Sequence, residues 1–237
     1  MIEVNAISKQ FGKLEILKKV TMSLPAGECI ALIGPNGCGK TTLIKCILGM
    51  VLPTSGSILF EGKPINHEYL YRNKIGYMPQ LGRYPDNMTI GQIIKMMKEI
   101  RQEENTLDEE LYVHYGLSKL LNKKMRTLSG GTIQKVSATL AFMFNPAVYI
   151  LDEPTAGLDP IASEILKDKI IKEKEKGKLF LITSHLLSEL DDLVTQLIFM
   201  QEGNILFQKP IAQLLDETGE LKISKAVAHF LKRTQYA

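Results

Sequence analysis

Long apolar runs are missing from this sequence. No window approaches the ~18 consecutive apolar residues that a membrane-crossing helix needs, so no transmembrane helix is expected. The opening residues, Met1-Ile2-Glu3-Val4, lack the charged-then-apolar layout of a secretory signal. Cysteine is scarce. Cys29, Cys38 and Cys46 are the three present, and no two form a C-x-x-C pair. Ordinary reduced thiols therefore fit better than a metal or redox centre, and the cytoplasm is the expected compartment. An excess of one charge is lacking too. A formal net charge of +3 is too small to point to nucleic acid. What remains is ample material for a core: 45% of the 237 residues are hydrophobic and 23% charged, at the long end for one α/β domain.

The stretch Gly34-Pro35-Asn36-Gly37-Cys38-Gly39-Lys40-Thr41-Thr42 is a complete G-x-x-x-x-G-K-[ST] phosphate loop. An apolar run, Cys29-Ile30-Ala31-Leu32-Ile33, precedes it and suits a buried strand; Leu43–Leu48 follows and suits a helix. Glycines let the backbone curl so that successive N–H groups point at a phosphate, and the helix N-terminus adds partial positive charge. Lys40 is positioned to reach β- and γ-phosphates, and the Thr41 hydroxyl to ligate Mg²⁺.

Around this loop the chain alternates strand and turn signals. Ile2–Ala6 and Val20–Leu24 read as strands, the second ending at Pro25-Ala26-Gly27. Phe11, in the polar stretch Lys9–Lys13, reads locally as a loop aromatic, although an exposed ring before a phosphate loop can stack on a base. Ser57–Phe60 and Ile75–Met78 are further short strands. Gln80, just past the second, is either a plain loop residue or a group that binds Mg²⁺ or positions water. Residues 84–145 change to helical spacing: Ile90, Ile93, Ile94, Met97, Leu107, Leu111, Ile133, Val136, Leu140 and Phe144. Within them Leu128-Ser129-Gly130-Gly131 opens an apolar-periodic helix, as a simple N-cap or as an anion site.

Val148–Leu151 runs directly into Asp152 and Glu153. That is the layout of a buried strand delivering acids to its C-terminal edge, where ligands bind in open α/β sheets. Asp152 is suited to hold Mg²⁺, and Glu153 to orient and deprotonate an attacking water. Asp159-Pro160 predicts the start of a helix over about 160–176, stopped by Gly177. Leu179–Thr183 is another apolar strand, with His185 just beyond it; Leu197–Met200 and Asn204–Phe207 flank a hairpin turn. Residues 210–237 hold one or two short helices.

In their order these motifs resemble the nucleotide-binding subunit of ATP-binding cassette (ABC) transporters, over roughly 1–209. The resemblance implies an α/β fold: a RecA-like P-loop NTPase core with an N-terminal antiparallel β-subdomain and a helical subdomain at about 84–145, followed by a short helical extension at 210–237. It makes Gly34–Thr42 (Gly34, Pro35, Asn36, Gly37, Cys38, Gly39, Lys40, Thr41, Thr42) the Walker A loop, and Asp152 and Glu153 the Walker B aspartate and catalytic glutamate. Gln80 becomes the Q-loop residue, Ser129 and Gly131 parts of the signature, Asp159 the D-loop aspartate, His185 the switch histidine, and Phe11 the adenine-stacking ring. ATP and Mg²⁺ follow as ligands, with Thr41, Gln80 and Asp152 around the metal. A second nucleotide-binding subunit follows as head-to-tail partner, most simply as a homodimer. An integral-membrane permease follows as the machine driven, with the chain peripheral on the cytoplasmic face of the inner membrane. Thr132 departs from the family's common Gln, and Phe11 from its commoner Tyr. Residues 78–83 and 128–135 are also similar to the ATPase of the copper-processing system that serves nitrous oxide reductase maturation. Soluble ABC-type ATPases acting on ribosomes or DNA usually carry two cassettes or a long coiled coil, and neither is present. A small P-loop kinase or GTPase is disfavoured by Glu153, the signature and His185.

Overall fold

A computed structural model describes residues 1–65, 69–102, 107–184 and 193–235. In chain order the elements are β1 (Ile2–Phe11), β2 (Leu14–Leu24), β3 (Cys29–Ile33), α1 (Lys40–Ile47), β4 (Ser55–Phe60), β5 (Lys63–Pro64) and β6 (Ile75–Met78). Then come α2 (Ile90–Arg101), α3 (Glu110–His114), α4 (Gly130–Phe142), β7 (Val148–Asp152) and α5 (Pro160–Glu175). The chain closes with β8 (Leu179–Thr183), β9 (Gln196–Gln201), β10 (Asn204–Pro210), α6 (Ile211–Thr218) and α7 (Ile223–Gln235). Two compact units divide it: residues 1–69 with 179–237, and residues 70–178.

The first unit carries an antiparallel sheet in the order β2-β1-β4-β5 and a second layer in the order β10-β9-β3-β8. In the second layer β3 lies parallel to both β8 and β9, while β9 and β10 form an antiparallel hairpin. All five residues of β3 and of β8 are buried, which explains their unbroken apolar runs: strands covered on both faces need no alternation. β1 and β2 are longer than the sequence pattern indicates. Register shifts interrupt their pairing, and Ala6 and Lys19 take positive φ (47° and 49°), so a period of two is not sustained along either strand. Phe11 is the last residue of β1, paired with Leu14, rather than part of a loop. The closing helices α6 and α7 bury Ile211, Leu214, Ile223, Ala226 and Val227, and the Phe230 ring meets Phe207 of β10 at 4.5 Å.

The second unit holds the parallel pair β6 and β7 and the helices α2 to α5. Thr89 begins α2 with a reciprocal cap. Its hydroxyl accepts from Gln92 N at 3.2 Å, and the Gln92 carboxamide oxygen accepts from Thr89 N at 2.9 Å. Ile90, Ile93 and Ile94 of α2 pack with Val136 and Leu140 of α4 and with Phe144 in one buried cluster, so the helical spacing read from the sequence marks a shared core face. Leu107 precedes α3, which is a single short turn. Asp159 caps α5 and Pro160 takes its first position.

Candidate functional site

Backbone geometry makes the phosphate loop. Gly34, Gly37 and Gly39 take φ of 152°, 78° and 110° between β3 and α1. A Cβ on Gly34 would stand 2.0 Å from the Met200 carbonyl oxygen, so no other residue fits there. Gly203, in the β9–β10 turn, donates its N–H to Cys38 O at 3.0 Å and fixes the far side of the loop. Lys40 is buried, and its ammonium donates to Gly34 O at 2.7 Å and Pro35 O at 3.2 Å, inside the curl. Thr41 follows on the helix, exposed, and its hydroxyl has no hydrogen-bond partner among the described residues. Pro35, Asn36 and Gly37 are exposed, and Thr42 is half-buried. Phe11 is 50% exposed, with Lys9 Nζ at 4.9 Å from its ring centre.

In the second unit β7 ends with Asp152 buried and Glu153 half-exposed. Burial, and then the Asp152 charge, push the Tyr77 phenol up to about 12, so Asp152 supplies the negative potential at this end of the strand pair. Glu153 takes φ 52°, a left-handed conformation costing a non-glycine residue on the order of 1–3 kcal/mol. Bonds to Ala156 and Gln80 help hold it there. Its carbonyl accepts from Ala156 N at 3.1 Å, and its carboxylate accepts from Gln80 Nε2 at 2.9 Å. Gln80 and Glu153, 73 positions apart in sequence, are thus in direct contact.

The signature segment is a helix start. Ser129 caps α4, its Oγ accepting from Thr132 N at 3.3 Å and lying 2.9 Å from Thr132 Oγ1. Thr132 therefore gives the serine hydroxyl a local partner. A Cβ on Gly131 would stand 2.7 Å from Gly157 O, so glycine here permits close approach of α4 to the turn before α5. Asp159 in that turn is occupied structurally. Its Oδ2 pairs with Lys135 Nζ at 2.6 Å and its Oδ1 accepts from Ala162 N at 2.9 Å; Lys135 first and that amide second hold its carboxyl below the usual range.

Sequence reasoning missed Gln134. It is buried on α4, and its Nε2 donates to the Gln80 carbonyl at 2.7 Å. A glutamine on a helix reads as a solvated position, and only its place between apolar Ile133 and Val136 hints at burial. His185 lies outside the described residues.

The family model described as ABC transporter matches residues 17–156. An uncharacterized ABC transporter ATP-binding protein of Bacillus subtilis (strain 168) is 31% identical over 94% of this chain and 76% of its own length. The lantibiotic transport ATP-binding protein SrtF of Streptococcus pyogenes is 34% identical over 88% of this chain and 90% of its own. A solved ATP-binding subunit of an ABC transporter superposes with a TM-score of 0.89 at 26% identity, over 96% of this chain and 98% of that one. Strand–glycine loop–lysine helix, buried aspartate followed by glutamate, and a serine-capped glycine pair are thus found on a cassette fold, α/β with an antiparallel β-subdomain and helices around a P-loop core. The chain belongs to the ABC transporter family, as an ATP-binding and ATP-hydrolysing subunit that energises a transporter.

Proposed function

We infer that the chain binds Mg·ATP, pairs head to tail with a second nucleotide-binding subunit, and drives an integral-membrane permease from the cytoplasmic face. No helix among the described residues is long and apolar enough to cross a membrane.

The observation that carries the catalytic assignment is Glu153. A carboxylate follows a buried aspartate at a strand end, in a strained backbone conformation that hydrogen bonds to Ala156 and Gln80 help hold. Strain of that kind persists where the surroundings over-determine it, and it concentrates at reacting sites. In this reading the Glu153 carboxylate orients the attacking water and takes its proton. Lys40 exchanges the loop carbonyls of Gly34 and Pro35 for β- and γ-phosphate oxygens, a stronger, charge-assisted bond. Loop amides and the start of α1 hold the remaining phosphate oxygens, and Phe11 stacks on adenine. Ser129 and Gly131 of one copy, with Asp159 beside them, close on the nucleotide of the other, and His185 fixes the γ-phosphate.

The donor set suits Mg²⁺. The Thr41 hydroxyl, the Asp152 carboxylate and the Gln80 amide oxygen are all hard oxygen ligands, and those of Thr41 and Gln80 have no hydrogen-bond partner among the described residues. Bound there, the ion would neutralise charge on the β- and γ-phosphates. Glu153→Gln keeps size and a hydrogen-bonding oxygen while removing the charge. Near-normal Mg·ATP affinity, turnover lowered by at least ~10² and accumulation of an ATP-bound dimer are expected. Phosphate release beside size-exclusion chromatography with ATP reads both halves, and a variant that turns over like the wild type removes Glu153 from the role.

A further inference from the structure

The loop that carries Gln80 is stapled to α4 rather than free. Gln134 Nε2 donates to Gln80 O at 2.7 Å. The Tyr84 hydroxyl lies 2.9 Å from Ser137 Oγ. Gly82 sits so close to the same helix that a Cβ there would stand 2.3 Å from Ser137 Oγ. Gln134 and Ser137 are both buried, so the α4 ends of these bonds are shielded from competing water. The Gln134 amide can face only one way. Turned over, its oxygen would oppose the Gln80 carbonyl, acceptor against acceptor. Its own Oε1, buried and without a hydrogen-bond partner among the described residues, is the cost of that orientation. Gln134 also lines a pocket of 310 Å³ shared with Gln80, Gly131 and Gly157.

We propose that Gln134 is a positioning residue for ATP hydrolysis: by gripping the Gln80 carbonyl it aims the Gln80 amide at the Glu153 carboxylate, and so ties α4 to the base. The bonds form a chain. Ser129 caps the start of α4; Gln134 lies one and a half turns further on; Gln80 follows through its carbonyl; and Gln80 Nε2 ends the chain on Glu153 Oε2 at 2.9 Å. What seats or shifts the N-terminus of α4 is thereby felt at a carboxylate that no residue of α4 touches in this chain of bonds. Gln134 acts only through Gln80, and its role rests on the reading of Glu153 as base.

A double-mutant cycle separates this from a merely structural role. Single-turnover and steady-state hydrolysis of Mg·ATP are measured for the intact chain as wild type, Gln80→Ala, Gln134→Met, the double variant and Glu153→Gln. Gln134→Met should lower kcat about tenfold, the worth of roughly one hydrogen bond, with KM for ATP within about twofold. In the Gln80→Ala background, where there is no amide left to aim, the same change should cost less than about twofold. If Gln134→Met loses the fold in a thermal melt, Gln134→Ala, which introduces no new atoms, carries the cycle. Losses that multiply in the double variant, a change confined to KM, or a wild-type rate in Gln134→Met overturn the proposal while an inactive Glu153→Gln leaves the base in place. Wild-type turnover in Glu153→Gln overturns both.

Discussion

Lys40 has two lives in this chain. In the structure its ammonium satisfies Gly34 O and Pro35 O, so it helps fold the loop that it serves. In the proposed complex with a triphosphate it is the side-chain cation of the loop. Lys40→Ala is therefore expected to abolish detectable ATP binding or weaken it severely, because the polyanion loses its charge-assisted partner. Equilibrium binding of labelled ATP measures this, and an unchanged affinity would remove the loop from the nucleotide site. Gln80 also divides its labour: its carbonyl goes to Gln134 and its amide nitrogen to Glu153, and in the proposed site its amide oxygen faces the metal. That division cannot be read from the sequence, where Gln80 is a polar residue after a proline. The left-handed backbone of Glu153 is equally hidden, since no glycine announces it.

At the scale of elements, α5 is tied to α3 and the residues before it by charge. Lys169 is buried and donates to Asp108, to Glu110 Oε2 at 2.8 Å and to Glu173 Oε1 at 3.0 Å, while Lys172 reaches Glu110 Oε2 at 2.9 Å. The hydrogen bond from Lys169, then that from Lys172, lowers the Glu110 carboxyl to about 2. A carboxyl depressed in the folded state stabilises above its unfolded value and loses that contribution as pH falls through the folded value. Glu110→Gln should thus be less stable than wild type above about pH 5, and the gap should close between about pH 4.5 and pH 2. Urea unfolding of both proteins across that range checks it; a gap independent of pH would mean that the ion pairs contribute nothing. This network was not legible in the sequence, because its α5 lysines lie 59 to 62 positions from Asp108 and Glu110 and all of them look like solvated charges. The strands β3, β7 and β8 were legible, being short buried runs bounded by turns. So were the Asp159-Pro160 start of α5 and the β9–β10 hairpin, whose signals are local. β1 and β2 were legible only in part, since bulges break their alternation. The fold class and the order of motifs could be read; the contacts that aim the side chains could not, for these are set by packing between distant segments.

At the scale of the whole molecule, the features of the proposed cycle belong to different units of the chain. The phosphate loop belongs to the first unit, whereas Ser129 and Gly130 stand exposed at the start of α4 in the second. In the proposed head-to-tail pair each signature serves the nucleotide of the other copy, and Ser129→Arg tests that arrangement. The cap is lost, costing about 1 kcal/mol. That is small against the 5–15 kcal/mol that holds a typical domain, so the fold survives. Nothing in the phosphate loop is touched, so a single copy should bind ATP almost as before. A long cation in place of a hydroxyl, however, would obstruct closure on the partner's nucleotide. ATP-dependent dimerisation, followed by analytical ultracentrifugation in a Glu153→Gln background that traps the bound state, should fall steeply. Turnover of Ser129→Arg alone should fall with it. Normal dimerisation with lost ATP binding would contradict the pairing, because it would put Ser129 at its own chain's nucleotide instead of its partner's.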